Sequence, residues 1–253
     1  MPYVEVEGQK WFYTHHRGRK DAGPPLVLIH GAGGNHLIWP AEIRRLPGYS
    51  VYALDLPGHG KSEGPAHTRI EAYAEGVRAW ADAVGVDRFI PVGHSMGGAI
   101  AQELALTHPE RVAALVLMAT GARLRVHPSI LRGLRENPEG TVRFLADWAY
   151  GPEPDPNLVK RFIRQTLELP PEVAYGDFLA CDVWDRMADV HRIQAPTLLI
   201  AGEADRLTPP KYLRYLEEQI PNARLVLIPE AGHMVMLEAP EAVAHALQEW
   251  LSR

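Results

Sequence analysis

With one cysteine, Cys181, among 253 residues, the chain has no intramolecular disulfide and no thiolate pair for a metal. It has no basic stripe either. Twenty-six Lys and Arg against 31 Asp and Glu give a formal net charge of -5, spread along the chain, which argues against nucleic acid or anionic lipid as a partner. No apolar run approaches the length of a membrane span. The first residues, "MPYVEVEGQKWFYTHH", have neither a basic n-region nor an apolar h-region, so the expectation is a cytoplasmic protein acting on a small molecule, with oligomeric state left open. The histidines show no H-E-x-x-H spacing, and "HGAGGN" lacks both the Lys-Ser/Thr ending of a P-loop and the G-x-G-x-x-G of a dinucleotide site. No metal or cofactor is expected. Lysine is scarce, 5 against 21 arginines, so the Lys and Glu enrichment of heat-adapted proteomes is missing and the arginine bias identifies no thermal adaptation.

What the chain does contain is 46% hydrophobic residues, enough for one sizeable domain. "YVEVEG" and "KWFYTHH" exchange apolar and polar residues at period two and predict an N-terminal antiparallel hairpin. Six later runs are short and almost continuously apolar: "LVLIH", "VYALD", "FIPVG", "VAALVLM", "PTLLIAG" and "RLVLIPE". Such runs suit strands covered on both faces of a parallel sheet. Between them, "RIEAYAEGVRAWADAVG", "MGGAIAQELALTHPE" and "PPKYLRYLEEQIPN" have helical periodicity, and "APEAVAHALQEWL" closes the chain. The alternation predicts an α/β fold, a doubly wound and mostly parallel sheet. Residues 121–190 are far too many for one crossover, and they carry helical segments in "TVRFLADWAYG" and "NLVKRFIRQTLEL". The expected division is a core of residues 1–120 and 191–253 with a helical cap, 121–190, inserted over the sheet.

Chemistry concentrates in "VGHSMGGAI", where Ser95 lies between Gly93 and Gly97 at the turn from a strand into a helix. This is the context of a G-x-S-x-G nucleophile elbow, in which a sharp reversal drives the serine toward positive φ and the flanking glycines remove the collisions that follow. Three further loops, "HGAGGNH", "GEADRLTPP" and "EAGHMVMLEAP", each follow a predicted strand. In a parallel sheet all such loops share one edge, so their side chains converge.

On these motifs, in this order and over nearly the whole length, the chain resembles the α/β-hydrolases, on their serine esterase and lipase-like branch with a helical cap. The resemblance implies that Ser95 is the nucleophile, Asp205 the acid and His233 the base, with the backbone N–H groups of Ala32 and Met96 as the oxyanion hole. The residue chemistry is consistent with those roles, since a serine hydroxyl needs a base and a histidine base needs a carboxylate to hold its tautomer. Glu203 is the alternative acid. His94 is assigned a structural or pocket-wall role, His30 a hydrogen bond within the oxyanion loop, and His59 and Asp55 the support of their turn. A serine at the elbow sets aside the aspartate-nucleophile branches. The expected reaction is hydrolysis of carboxylic esters of small or medium acyl groups through an acyl-serine. Carbon-carbon bond hydrolysis, enol-lactone hydrolysis and perhydrolysis use the same triad, and a non-catalytic ligand-binding relative is the reading from another class. Trp39, Phe144, Trp148, Trp184, Met187 and Met234 are the candidates for walls of the substrate pocket, and Cys181 reads as a small buried hydrophobe.

Overall fold

Each apolar run forms a strand, and the alternation along it decides which side of the sheet each residue serves. In β3 (Leu26–Ile29), Val27 and Ile29 pack into one core while Leu26 and Leu28 pack into the other. β7 (Thr197–Gly202) divides in the same way, with Leu199 and Ala201 on one side and Leu198 and Ile200 on the other. Both faces are covered, so both phases of the period-two pattern are apolar. The remaining parallel strands are β4 (Val51–Leu54), β5 (Ile90–His94), β6 (Leu115–Met118) and β8 (Ala223–Ile228). The run "VAALVLM" yields a strand only in its second half, because Val112 makes an isolated bridge to Phe89 before β6 begins.

The computed structural model describes residues 2–19 and 23–252; residues 1 and 253, the outer ends of the expected core segments, lie outside the described residues. The N-terminal hairpin is present as β1 (Tyr3–Val6) and β2 (Gln9–His16), joined by Glu7 and Gly8 at φ 50° and 81°. Two consecutive positive φ values give the turn the twist that suits a hairpin. β2 also pairs antiparallel with β4, so the hairpin extends one edge and the full order is β1-β2-β4-β3-β5-β6-β7-β8. Helices α2 (Ile70–Ala83), α3 (Met96–Thr107) and α8 (Lys211–Gln219) contribute to one core. α1 (Ala41–Arg44), α9 (Val235–Glu238) and α10 (Pro240–Leu251) contribute to the other. Among the described residues, no helix is long and apolar enough to cross a membrane.

The order reverses at β3. The chain steps from β3 to β4 on one side and then crosses to β5 on the other. At such a switch point the loops leaving the carboxyl ends of β3 and β5 diverge and open a crevice.

Between β6 and β7 lie four helices: α4 (Pro128–Glu136), α5 (Pro138–Ala149), α6 (Pro156–Leu167) and α7 (Pro171–Val183). The sequence pattern identifies α5 and α6; α4 and α7 were not legible as separate helices. All four start with proline at the first helical position, where its missing N–H costs nothing and its φ already suits a helix. Asn137 and Asp155 cap α5 and α6 by accepting the N–H groups of Gly140 and Asn157. Leu134, Val142 and Ala174 form a small core of their own within this segment.

Candidate active site

Ser95 has φ 54° and ψ −117°, the strained turn expected between β5 and α3. Its backbone is held on both sides: the N–H donates to the Met118 carbonyl at 2.9 Å, and its carbonyl accepts from Thr120 Oγ1 at 2.8 Å. Its hydroxyl caps nothing. The neighbouring glycines are required by contact. A Cβ on Gly93 would collide with the Gly97 carbonyl, and one on Gly97 with the Ile29 carbonyl, so β5, α3 and β3 approach as bare backbones. Gly31 brings the loop after β3 against the same turn; a Cβ there would stand 3.0 Å from Ser95 Cβ. Neither the Ala32 nor the Met96 N–H donates to any acceptor among the described residues.

The loop after β7 carries Asp205 and the loop after β8 carries His233. Asp205 Oδ1 accepts the N–H groups of Leu207 and Thr208, each at 2.9 Å. Its Oδ2 accepts Thr208 Oγ1–H at 2.8 Å and His233 Nδ1–H at 3.0 Å. Burial alone would raise the Asp205 carboxyl, but His233 and the Thr208 bonds hold it below the ordinary carboxylate range. The proton on Nδ1 leaves the lone pair on His233 Nε2. Glu203, the alternative acid, is exposed, and its own N–H donates to the Ile228 carbonyl at 2.9 Å.

The other histidines of the edge are structural. His94 Nε2–H donates to the His233 carbonyl at 2.9 Å and so ties the loop after β8 to the turn at Ser95; burial pushes its pKa down to about 3. His30 Nδ1–H donates to the Gly31 carbonyl while Nε2 accepts the Leu56 N–H, an arrangement only the neutral ring can make, and burial pushes its pKa down to about 4. Asp55 accepts the N–H groups of His36 and Lys61, holding its turn as expected and adding a 2.8 Å bond to His36 Nδ1.

Ser95, His233 and Ala32 open onto one cavity of about 490 Å³, walled mainly by apolar side chains of the inserted helices. Phe144, Trp148 and Met234 line it. Trp39, Trp184 and Met187 do not, and the structure corrects the sequence reading there. Trp39 is fully buried among the residues under α1 and α10. Trp184 turns inward because its indole N–H donates to the buried Glu103 at 3.0 Å, and Met187 packs at the margin of the main core. Cys181 lines the cavity floor, and burial pushes its thiol pKa well up, so it is a thiol and not a thiolate. Among the described residues, no three His, Cys, Asp or Glu side chains are grouped as a metal requires.

A family model described as the alpha/beta hydrolase fold matches residues 24–240. The chain belongs to the α/β hydrolase fold family. It is 34% identical to a pimeloyl-[acyl-carrier protein] methyl ester esterase of Pectobacterium carotovorum subsp. carotovorum (strain PC1), over 86% of this chain and 90% of the relative. Among solved structures it resembles a thermophilic esterase, with 36% identity, TM-score 0.86 and coverage of 99% and 96%. It also resembles the enol-lactonase from Burkholderia xenovorans LB400, with 25% identity, TM-score 0.89 and full coverage of both chains.

Three residues of this hydrolase's site escaped the sequence reading. Thr208 stands three positions after Asp205, where it supplies both an N–H and a hydroxyl to the carboxylate. Glu238 accepts the N–H groups of Gly232 at 3.0 Å and Gly151 at 2.7 Å, pinning the base loop to the end of α5. Asp177, on α7, is fully buried and accepts from Gly33 in the loop after β3. A signal for it exists in the sequence: Val173, Asp177, Ala180, Cys181 and Trp184 fall on one helical face, and a carboxylate on an otherwise apolar stripe demands a partner.

Proposed function

We propose that this α/β hydrolase is a serine carboxylesterase acting on esters of small or medium acyl groups, with Ser95 as nucleophile, His233 as base and Asp205 as the acid that holds it. One observation carries the reading: Ser95, His233 and Asp205 come from loops after three different strands, His233 is bonded to Asp205 at 3.0 Å, and Ser95 and His233 line the same largely apolar cavity. In the proposed cycle, Ser95 Oγ attacks the ester carbonyl while its proton passes to His233 Nε2. The Ala32 and Met96 N–H groups, which have no other acceptor among the described residues, hold the oxyanion. Collapse expels the alcohol, protonated by His233, and water repeats the steps to release the acid. Residues 121–190 serve as the cap, with Phe144 and Trp148 toward the acyl chain and Met234 beside the base. No cofactor takes part, and the setting is cytoplasmic. The test is fluorophosphonate labelling together with turnover of a chromogenic butanoate ester. Ser95→Ala should lose both while keeping the fold, and wild-type turnover in a well-folded Ser95→Ala would overturn the assignment.

Similarity to an enol-lactonase along both full chains supports a second reading, cleavage of a cyclic ester through the same acyl-serine. There the leaving alkoxide stays tethered to the acyl group. Comparing kcat/KM for an open ester and a lactone of equal carbon number discriminates the two readings.

A further inference from the structure

The Asp177 carboxylate is fully buried and takes three donors from three parts of the fold. Gly33 N–H, in the loop after β3, donates to Oδ2 at 2.8 Å; His59 Nε2–H, in the turn after β4, donates to the same oxygen at 2.7 Å; and Tyr73 O–H, on α2, donates to Oδ1 at 2.5 Å. His59 Nδ1–H donates to the Pro57 carbonyl at 3.0 Å, so both ring nitrogens face acceptors and the ring is held as the cation. Burial lowers the His59 pKa, while Asp177, the Pro57 carbonyl and Asp55 together raise it by more, so the net shift is upward. Both side chains of the pair are fully out of water.

A buried ion pair is a poor device for merely docking a helix, since a well-packed apolar side chain docks it at no desolvation cost. What the carboxylate gains here is direction. The N–H it accepts belongs to the peptide between Ala32 and Gly33, one peptide along from the Ala32 N–H. Gly33 sits at φ +66°, with the Thr166 methyl 3.0 Å from where a Cβ would be, so this stretch is a bend that needs an anchor. The other bonds of the loop, His30 to the Gly31 carbonyl and Gly34 N–H to the Gly31 carbonyl at 3.1 Å, hold its two ends and leave the Ala32–Gly33 peptide to Asp177.

We propose that Asp177 is a positioning residue for the oxyanion loop: by fixing the Ala32–Gly33 peptide it aims the Ala32 N–H at the developing oxyanion, so a helix of the inserted segment takes part in acyl transfer as well as walling the cavity. The proposal rests on the reading of Ser95 as nucleophile and Ala32 N–H as oxyanion donor. It extends that reading to the segment outside the sheet.

The experiment uses the full-length enzyme, Asp177→Asn and Tyr73→Phe, with every rate divided by the concentration of sites titrated by a fluorophosphonate so that unfolded protein is not counted. The amide of Asp177→Asn is neutral and has one acceptor oxygen in place of two, so either its NH2 group meets the Tyr73 hydroxyl or it meets the Gly33 and His59 donors, and the bond to Gly33 N–H is weakened or lost. Its kcat on a butanoate ester should fall by at least about tenfold with KM within about threefold, the pattern of an interaction made only in the transition state. Inhibition by a trifluoromethyl ketone, whose hemiketal oxyanion occupies the same hole, should weaken by the same factor as kcat/KM. Tyr73→Phe frees Oδ1 and should move both readouts in the same direction by a smaller factor, which keeps the question answerable if Asp177→Asn fails to fold. Unchanged kcat per titrated site, or a rise in KM alone, in a folded variant overturns the proposal and makes Asp177 a wall anchor. Absence of labelling at Ser95 in the wild type would instead remove the nucleophile assignment, and this inference with it.

Discussion

The sheet edge and the inserted helices face each other across one cavity, yet they are held by different means. At the edge, ten residues of α3 are buried, including the eight that run from Met96 to Glu103, and the elbow is fixed by backbone contacts through Gly93 and Gly97. In the insert, α4 and α6 bury a single residue each, Leu134 and Thr166. The insert is attached instead at the end of α5, where Gly151 N–H donates to Glu238 at 2.7 Å and the Ala149 carbonyl accepts Met234 N–H at 3.0 Å, and through α7 and the residues after it: Asp177 to the loop after β3, and Arg186 with Trp184 to Glu103 at 2.8 and 3.0 Å. Phe144 and Trp148 remain 47% and 40% exposed while lining the cavity, so they have room to yield to different acyl groups. A rigid edge beneath a shallow wall separates chemistry from selection: substitutions below should change whether the bond breaks, and substitutions above should change which substrate is favoured.

The largest break in that separation should come from the proposed nucleophile. Ser95→Ala should reduce ester turnover to background with the melting temperature close to wild type, because the hydroxyl makes no capping bond. Next in size is the proposed acid. Asp205→Asn should lower kcat by roughly 10³ to 10⁴, since an amide can hold His233 in the wrong tautomer and does not stabilise its cation. Glu203→Gln, at an exposed side chain two residues away, should stay within about twofold by the ordinary behaviour of surface substitutions. Kinetics of both variants on one ester check the pair, and the opposite ranking would transfer the acid role to Glu203.

The edge was legible in the sequence because its constraints are local. The elbow needs glycine at fixed offsets, the parallel strands need continuous apolar runs, and loops that follow such strands must share one edge. The wall was much less legible. Its helices begin at prolines, which read as breaks, so α4 and α7 merged into the connections around α5 and α6. Aromatic residues there gave no direction: Trp148 faces the cavity, while Trp184, the residue just past the end of α7, turns inward because Glu103, distant in sequence, accepts its indole N–H. Trp39 follows the oxyanion loop in sequence and still ends beneath α1 and α10. Such orientations depend on partners from elsewhere in the chain, and a one-dimensional pattern contains only half of each pair.

The tryptophans sharpen the same contrast at smaller amplitude. Trp39→Ala opens a void in a closed core and should cost about 3–5 kcal/mol of stability, with little change in the ratio of kcat/KM between butanoate and decanoate esters. Trp148→Ala removes a half-exposed ring from the cavity wall. It should leave the fold intact and move that ratio toward the longer ester, by up to about fourfold for each methylene newly buried, the equivalent of about 0.8 kcal/mol. Equal depression of both esters in Trp148→Ala would mean the ring only packs the insert, and the acyl wall would then lie nearer Phe144 and Met234.

The smallest effect concerns acid, and it too should localise to the edge. Burial holds His94 at about 3 and His30 at about 4, below the ordinary histidine value of 6.5. A depressed histidine takes its proton in the unfolded chain first, so stability is complete above pH 6.5 and is lost as pH falls from there toward those folded values. Asp205, held below the ordinary aspartate value of 3.8, works in the same direction, but only at the acid end of that range. His59 has the opposite sign: its pKa is raised, so its contribution is complete below 6.5 and is lost as pH rises through the folded value. His94→Gln keeps an N–H where Nε2 donates to the His233 carbonyl and removes the titration. Melting temperatures between pH 7 and 4.5 should therefore fall less steeply in His94→Gln than in the wild type, whereas parallel curves would show that burial of His94 does not set the acid sensitivity of the edge.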